Sequence, residues 1–277
     1  MSISSRPIPM FDIRSEQPWF VLNSAKQFSL YPSSNPAISH YYSFELKQEC
    51  KLNFAIPDGC VDVVFDCDEH KPRAMICGTP LEARNTQLIA QHRYFGVRFA
   101  RGVIPDFIDV ATEELIDQEF DFLETIPNSY EAFEKIVSQP SFAKQVAIFN
   151  EFLLGKRIRQ PSSLTLQVVQ DIYKKKGNIR IQDLEALTGY TTRTIQRQFR
   201  DDLGVSPKTF SRIIRCQSAV CDIHNNNELV FSDLACDLGF YDQSHFLSEF
   251  KKLVSTTPLD YLNRISHGTY QQRIRYL

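Results

Sequence analysis

Arg193, Gln196, Arg197 and Arg200 follow one another at helical spacing, with Thr194 among them. Residues three, four and seven apart fall on one face of an α-helix. A guanidinium can donate two parallel hydrogen bonds to O6 and N7 of guanine, and a glutamine amide matches N6 and N7 of adenine. About fifty residues on stands a second polar group, Gln243, Ser244, His245 and Ser248, followed by Lys251 and Lys252. The first four offer donors and acceptors for base edges, and the two ammonium groups suit backbone phosphates. A polar helix face on its own is most often only solvated. The elements that would have to position these residues decide between the two readings.

Those elements form a repeat. Leu184, Gly189 and Tyr190 match Leu234, Gly239 and Phe240 at an offset of 50, and Ile195, Phe199 and Pro207 match Phe246, Phe250 and Pro258 at 51. One residue is therefore added in the second copy between Phe240 and Phe246. Each copy reads as a short helix (182–187 or 232–238) ended by glycine, which accepts the left-handed conformation past a helix C-terminus. Tyr190 or Phe240 is expected to plug the corner. Thr191, Thr192, Asp242 and Ser244 are available to cap the helix that follows. That helix buries Ile195 and Phe199, or Phe246 and Phe250, and leaves its polar face outward. This is the pattern of a helix-turn-helix, whose second helix enters a major groove. A connecting helix over 210–224, with Ile213, Ile214, Ala219 and Val220 inward, would hold the two units apart.

These residues resemble the AraC/XylS family of transcription regulators. The resemblance covers about 164–277 and rests on Ile195-Gln-Arg-Gln-Phe199, Gly204-Val-Ser-Pro207, Phe210, the run Leu234–Phe250, and Thr257-Pro258 with Tyr261. It implies an all-helical domain that binds double-stranded promoter DNA, in the manner of an activator touching RNA polymerase. By position it assigns base contacts to Arg193, Gln196 and Arg197, and to Gln243, Ser244 and His245. Two residues depart from the family. Ser248 stands where Arg is frequent, which shifts the second unit towards phosphate contacts through Lys251 and Lys252 and keeps an anti-activator or co-regulator as the alternative. Ser255 stands where Gly is usual.

The rest of the chain sets the frame. The 277 residues carry a formal net charge of −2, and length predicts two domains. Residues 1–160 hold 16 Lys and Arg against 21 Asp and Glu, and residues 161–277 hold 15 against 12. An acidic half joined to a mildly basic half suits a chain with one nucleic-acid-binding part. We expect a regulatory and dimerising domain over 1–158, a linker over 159–163 and the DNA-binding domain over 164–277. The fold class is α+β multidomain: a small β-barrel or cupin-like domain with helices, then an all-α domain. Strands are expected over 41–44, 52–56, 61–65, 87–90 and 94–99, a short helix over 104–110, an uncertain segment over 117–123, and helices over 130–137 and 141–154. Val146 and Phe149 of the last are expected at a homodimer contact.

The N-terminal half resembles more weakly a sensing domain found in some family members, which implies a small-molecule effector. Asp58, Asp62 and Arg98 are candidates to bind it, against turn capping and an internal ion pair. None of the seven cysteines forms C-x-x-C, so no structural zinc is expected, and reduced, buried thiols are the expectation. His40, His70 and His92 lack metal-ligand spacing. No metal, cofactor or catalytic motif is expected, hence no enzyme. No apolar run approaches the roughly 20 residues that span a bilayer, and residues 1–10 lack a leader's apolar core. A cytoplasmic protein without a membrane partner is expected.

Overall fold

A computed structural model describes residues 17–47, 53–159, 161–226, 229–267 and 270–277. The expectations for residues 1–10, Cys50, Leu52 and Gln160 lie outside the described residues. The chain opens with α1 (Pro18–Asn23), β1 (Phe28–Pro32), β2 (Ile38–Glu45), β3 (Phe54–Ala55), β4 (Asp62–Asp66), β5 (Arg73–Cys77), β6 (Arg84–Asn85), β7 (Arg93–Phe99) and β8 (Glu119–Asp121). Three helices follow: α2 (Phe122–Thr125), α3 (Tyr130–Ser138) and α4 (Phe142–Phe152). The remainder is helical: α5 (Ser163–Lys174), α6 (Ile181–Thr188), α7 (Thr192–Leu203), α8 (Pro207–Asn225), α9 (Phe231–Asp237), α10 (Gln243–Val254) and α11 (Pro258–His267). A 3-10 turn, Tyr270–Arg273, leads into β9 (Ile274–Tyr276). The α+β architecture is thus an N-terminal sheet with helices and a C-terminal helical region.

Seven strands form one sheet in the order β8-β5-β4-β7-β2-β1-β9, and β3 pairs with β6 in a separate two-stranded sheet. Neighbours run antiparallel except β9, which lies parallel to β1 with Phe28 opposite Ile274. Strand alternation sorts the side chains onto two faces. Tyr41, Val63, Phe65, Ile76, Phe95 and Val97 face α2–α4 and share a core with Phe122, Phe133 and Phe149. Tyr42, Phe44 and Tyr94 face the other way and join a core with Trp19 and Phe20 of α1 and with Val220, Phe246, Phe250 and Tyr261 of the C-terminal helices. The two halves therefore share one apolar core.

Several expectations are corrected. Residues 87–90 form no strand and 104–110 form turns rather than a helix. Both stretches are apolar, yet neither finds a neighbouring strand or a continuous helical face. Residues 117–123 divide into β8 and the start of α2, where the Asp121 carboxylate accepts hydrogen bonds from the Leu123 and Glu124 amides. The short β1, β5 and β9 are strands that the sequence reading did not expect. Helix α4 is where it was expected, but Val146 and Phe149 are buried within the chain's own core. They are not available to a partner, because the apolar stripe of α4 packs on the sheet.

Candidate nucleic-acid interface

The repeat read from sequence is built as two helix-turn-helix units. Helices α6 and α9 start 50 residues apart, α7 and α10 start 51 apart, and Pro207 and Pro258 open α8 and α11. Gly189 and Gly239 take the left-handed backbone, with φ of 74° and 71°, at the ends of α6 and α9. The Thr191 hydroxyl caps α7 by accepting from the Thr194 amide. Asp242 caps α10 by accepting from the His245 amide at 2.7 Å. Thr191 and Asp242 are already 51 apart, so the added residue is Tyr241, which stands in solvent at 92% exposure. Phe240 fills its corner against Phe246 at 5.3 Å between ring centroids. Tyr190 does not: it is 50% exposed. The first corner is closed instead by the Glu185 carboxylate, which accepts from the Thr192 amide.

Helix α7 buries Ile195, Phe199 and Leu203, in a core with α5, α6 and Phe210 of α8. Its opposite face presents Arg193, Gln196, Arg197 and Arg200, all exposed, while Thr194 is half-buried beside its cap. Among the described residues none of the three guanidinium groups is held in an ion pair, so their donors point to solvent unengaged. Helix α10 buries Phe246, Phe250, Leu253 and Val254. Gln243, Ser244, His245, Ser248, Lys251 and Lys252 are all exposed. Every sequence-chosen residue but Thr194 is thus on the outside of its helix. Helix α8, 19 residues long, joins the units and buries Ile213, Ile214, Ala219 and Val220.

The end of α10 is held by residues that sequence reasoning missed. A helix leaves its last carbonyls without partners inside the helix. The Lys251 carbonyl accepts from Ser255, a left-handed cap at φ 66°. The Lys252 carbonyl accepts from the Ala83 amide at 3.0 Å. The Val254 carbonyl accepts from the Trp19 indole at 2.9 Å. Two of the three donors belong to the N-terminal half. Glu82 adds 3.8 Å contacts to Lys252 and to Arg212 of α8. Arg212 also pairs with Glu249 of α10 at 2.6 Å. Burial pushes the Glu249 carboxyl up, but Arg212 outweighs it and leaves it below its ordinary range.

Helix α7 is tied in the same way. Asp202, buried on its inner side, accepts from the Ser162 amide at 3.0 Å, the Ser162 hydroxyl at 2.7 Å and Arg159 at 3.0 Å. Residues Arg159 and Ser162, on either side of Gln160, are therefore pinned to the helix that carries Arg193 and Arg197. No local sequence signal marks Trp19, Ala83 or Asp202 for these roles, since each partner lies tens to hundreds of residues away.

The structure also brings Asp58, Asp62 and Arg98 together. Arg98 Nη1 lies 3.1 Å from Asp58, and Arg98 Nε donates to Asp62 at 2.8 Å. Asp58 accepts from the Cys60 amide at 3.0 Å, so the ion pair and the turn cap are both present. Of the described cysteines, Cys60, Cys67 and Cys216 are buried, Cys77 and Cys221 are half-buried, and Cys236 is exposed; none is in a disulfide. Among the described residues no His, Cys, Asp and Glu group could hold a metal ion, and no helix is long and apolar enough to cross a membrane.

One family model covers both units. Residues 184–264, spanning both units, match the family model described as a helix-turn-helix domain. Residues 32–121 match a domain of unknown function, DUF6597. No curated protein matches the chain in sequence. Among solved structures, the C-terminal domain of AraT, a response regulator from Geobacillus stearothermophilus, is similar at 20% identity and a TM-score of 0.36, over 38% of this chain and 88% of that one. ToxT from Vibrio cholerae is similar at 12% identity and a TM-score of 0.41, over 86% of this chain and 99% of that one. ToxT bound to an unsaturated fatty acid is similar at 14% identity and a TM-score of 0.38, over 85% and 92%. Residues 184–264 of this chain are a helix-turn-helix domain.

Proposed function

We propose that the chain is a sequence-specific regulator that lays α7 and α10 into adjacent major grooves of promoter DNA. The observation that carries this reading is the face of α7, where Arg193, Arg197 and Arg200 stand exposed and unpaired on a helix whose other side is locked in a core. Arg193, Gln196 and Arg197 read bases, with Thr194 and Arg200 alongside. Gln243, Ser244 and His245 do so in the second unit, where Ser248, Lys251 and Lys252 reach the backbone. Helix α8 has 19 residues, about 28 Å at 1.5 Å per residue. That is comparable to the roughly 34 Å between successive major grooves on one side of DNA, and a shortfall would be met by bending at about 1–6 kcal/mol.

The proposed division is a controlling domain over 1–158, a linker over 159–163 and the DNA-binding domain over 164–277. The controlling domain takes a small-molecule effector, and the protein acts as an activator that contacts RNA polymerase, as a homodimer through a surface other than Val146 and Phe149. Control reaches the DNA-reading face through the loop 81–83, which holds α10 at Lys252 and α8 at Arg212. The same grip favours a second reading, an anti-activator: Lys252 is partly occupied by Glu82 and the second unit lacks an arginine at 248. Fluorescence anisotropy on a fragment from the chain's own promoter tests both. Affinity in the range typical of specific sites, about 10⁻⁸–10⁻¹¹ M, with a steep fall as salt rises, supports the first reading. Weak binding insensitive to salt rejects it and leaves the second.

A further inference from the structure

The sheet face that looks away from α2–α4 forms the wall of an open cavity. Strand alternation sets its lining. Val64 lies opposite Gly96 and Met75, Asp62 opposite Arg98 and Cys77, and Asp66 opposite Tyr94 and Arg73. Phe20, Phe44 and Leu88 supply apolar walls. Tyr42 lies flat over Gly96: a Cβ on that glycine would come within 2.0–2.6 Å of the Tyr42 ring.

The polar groups of this cavity are unevenly satisfied. Asp66 is answered by His92 at 2.9 Å and Arg73 at 3.5 Å, and Glu119 by Arg84 at 3.8 Å. At the buried end Asp58 and Asp62 share Arg98, and the buried Arg101 also acts on Asp58. Asp58 has further donors in the Gln17 amide at 3.0 Å and the Cys60 backbone. Asp62 accepts from Arg98 through both Nε and Nη2, and the Tyr42 hydroxyl stands beside it. That hydroxyl, on a residue only 1% exposed, lines the cavity and makes no well-directed hydrogen bond. A buried hydroxyl left so costs about 1–3 kcal/mol, and a buried carboxylate without full compensation is also unfavourable. Burial raises the Asp62 carboxyl above its ordinary range against the opposing pull of Arg98.

We propose that this cavity binds an organic cation, a primary amine or guanidine on an aromatic or aliphatic body, with the cationic head donating to Asp62 and to the Tyr42 oxygen. The head gives the Tyr42 oxygen the partner it lacks and adds a donor at Asp62, and the body lies along Phe20, Phe44 and Leu88. An anionic ligand would meet the Asp62 carboxylate at the point where the cationic head donates. Among the described residues no His, Cys, Asp and Glu group here could hold a metal ion instead. This proposal rests on the regulator reading only in making the bound cation an effector.

The test is isothermal titration of the full-length protein with 2-phenylethylamine, n-hexylamine and agmatine, against 3-phenylpropionate and 2-phenylethanol. At least one amine binds saturably, the acid and the alcohol bind at least tenfold more weakly or not at all, and Asp62→Asn weakens the amine at least tenfold. Tyr42→Phe, nearly the same in shape, weakens it several-fold and decides the matter if Asp62→Asn fails to fold. The proposal is overturned if no amine binds, if the acid or alcohol binds as tightly, or if a folded variant keeps the wild-type affinity. Anisotropy on promoter DNA is read on the same samples. Amine binding with no change in DNA affinity keeps the ligand class and removes the effector role. Absence of DNA binding by the wild type sinks the regulator reading and leaves the cation site standing.

Discussion

The indole nitrogen of Trp19 donates a 2.9 Å hydrogen bond to the carbonyl of Val254, the last residue of α10. A side chain near the start of the chain thus caps α10, 235 residues later. The ring is buried, edge-on to Tyr261 at 6.0 Å, and Arg264 lies over it at 5.6 Å. Trp19→Phe keeps a ring in place but removes the donor and leaves a carbonyl unanswered. We expect a loss of about 1–3 kcal/mol in urea unfolding. An unchanged midpoint would show that water replaces the indole.

Arg197→Ala should weaken binding to the chain's promoter region by about 1–3 kcal/mol and relax sequence preference at one position, with the thermal midpoint unchanged. Lys251→Ala should weaken binding to all sequences alike and lower the slope of log affinity against log salt by about 1. Both residues are exposed, so folding is not at stake. Anisotropy titrations at several salt concentrations separate the two. Equal effects on specific and scrambled DNA for Arg197→Ala would move that residue from base to phosphate.

Ser255 ends α10 with φ 66°, a left-handed conformation in which glycine is unstrained and other residues are not. Ser255→Gly should stabilise the protein by about 0.5–1 kcal/mol, seen as a higher thermal midpoint. The more flexible unfolded chain opposes the gain. A lower midpoint would mean that this entropy outweighs the relief.

Asp202 is pushed up by burial, but the Ser162 hydroxyl, Thr165, the Ser162 amide and Gln198 outweigh it and hold the carboxyl below its usual range. A depressed carboxylate contributes stability that is complete above its unfolded value of about 3.9 and is lost as pH falls through the folded value. Asp202→Asn should cost about 1–2 kcal/mol at pH 7 and progressively less below pH 4. Unfolding curves at a series of pH values check this. A gap that stays constant with pH would mean that the charge contributes nothing.

Sequence alone determined the C-terminal design. Glycine at 189 and 239, capping groups at 191 and 242, and apolar pairs four residues apart are local signals, and local backbone and burial preferences were enough to realise them. It also determined which faces of α7 and α10 stay outside, because helical period divides Ile195 and Phe199 from Arg193 and Arg197. Tertiary structure decided the rest. Whether Asp58, Asp62 and Arg98 form a site or a scatter depends on strand register, which pairs Asp62 with Arg98 across 36 residues. The grip of Trp19 and Ala83 on α10, the pinning of Ser162 to Asp202 and the pairing of β9 with β1 are long-range hydrogen bonds. Their partners have no periodic relation along the chain, so only the packing of the two halves on one core could bring them together.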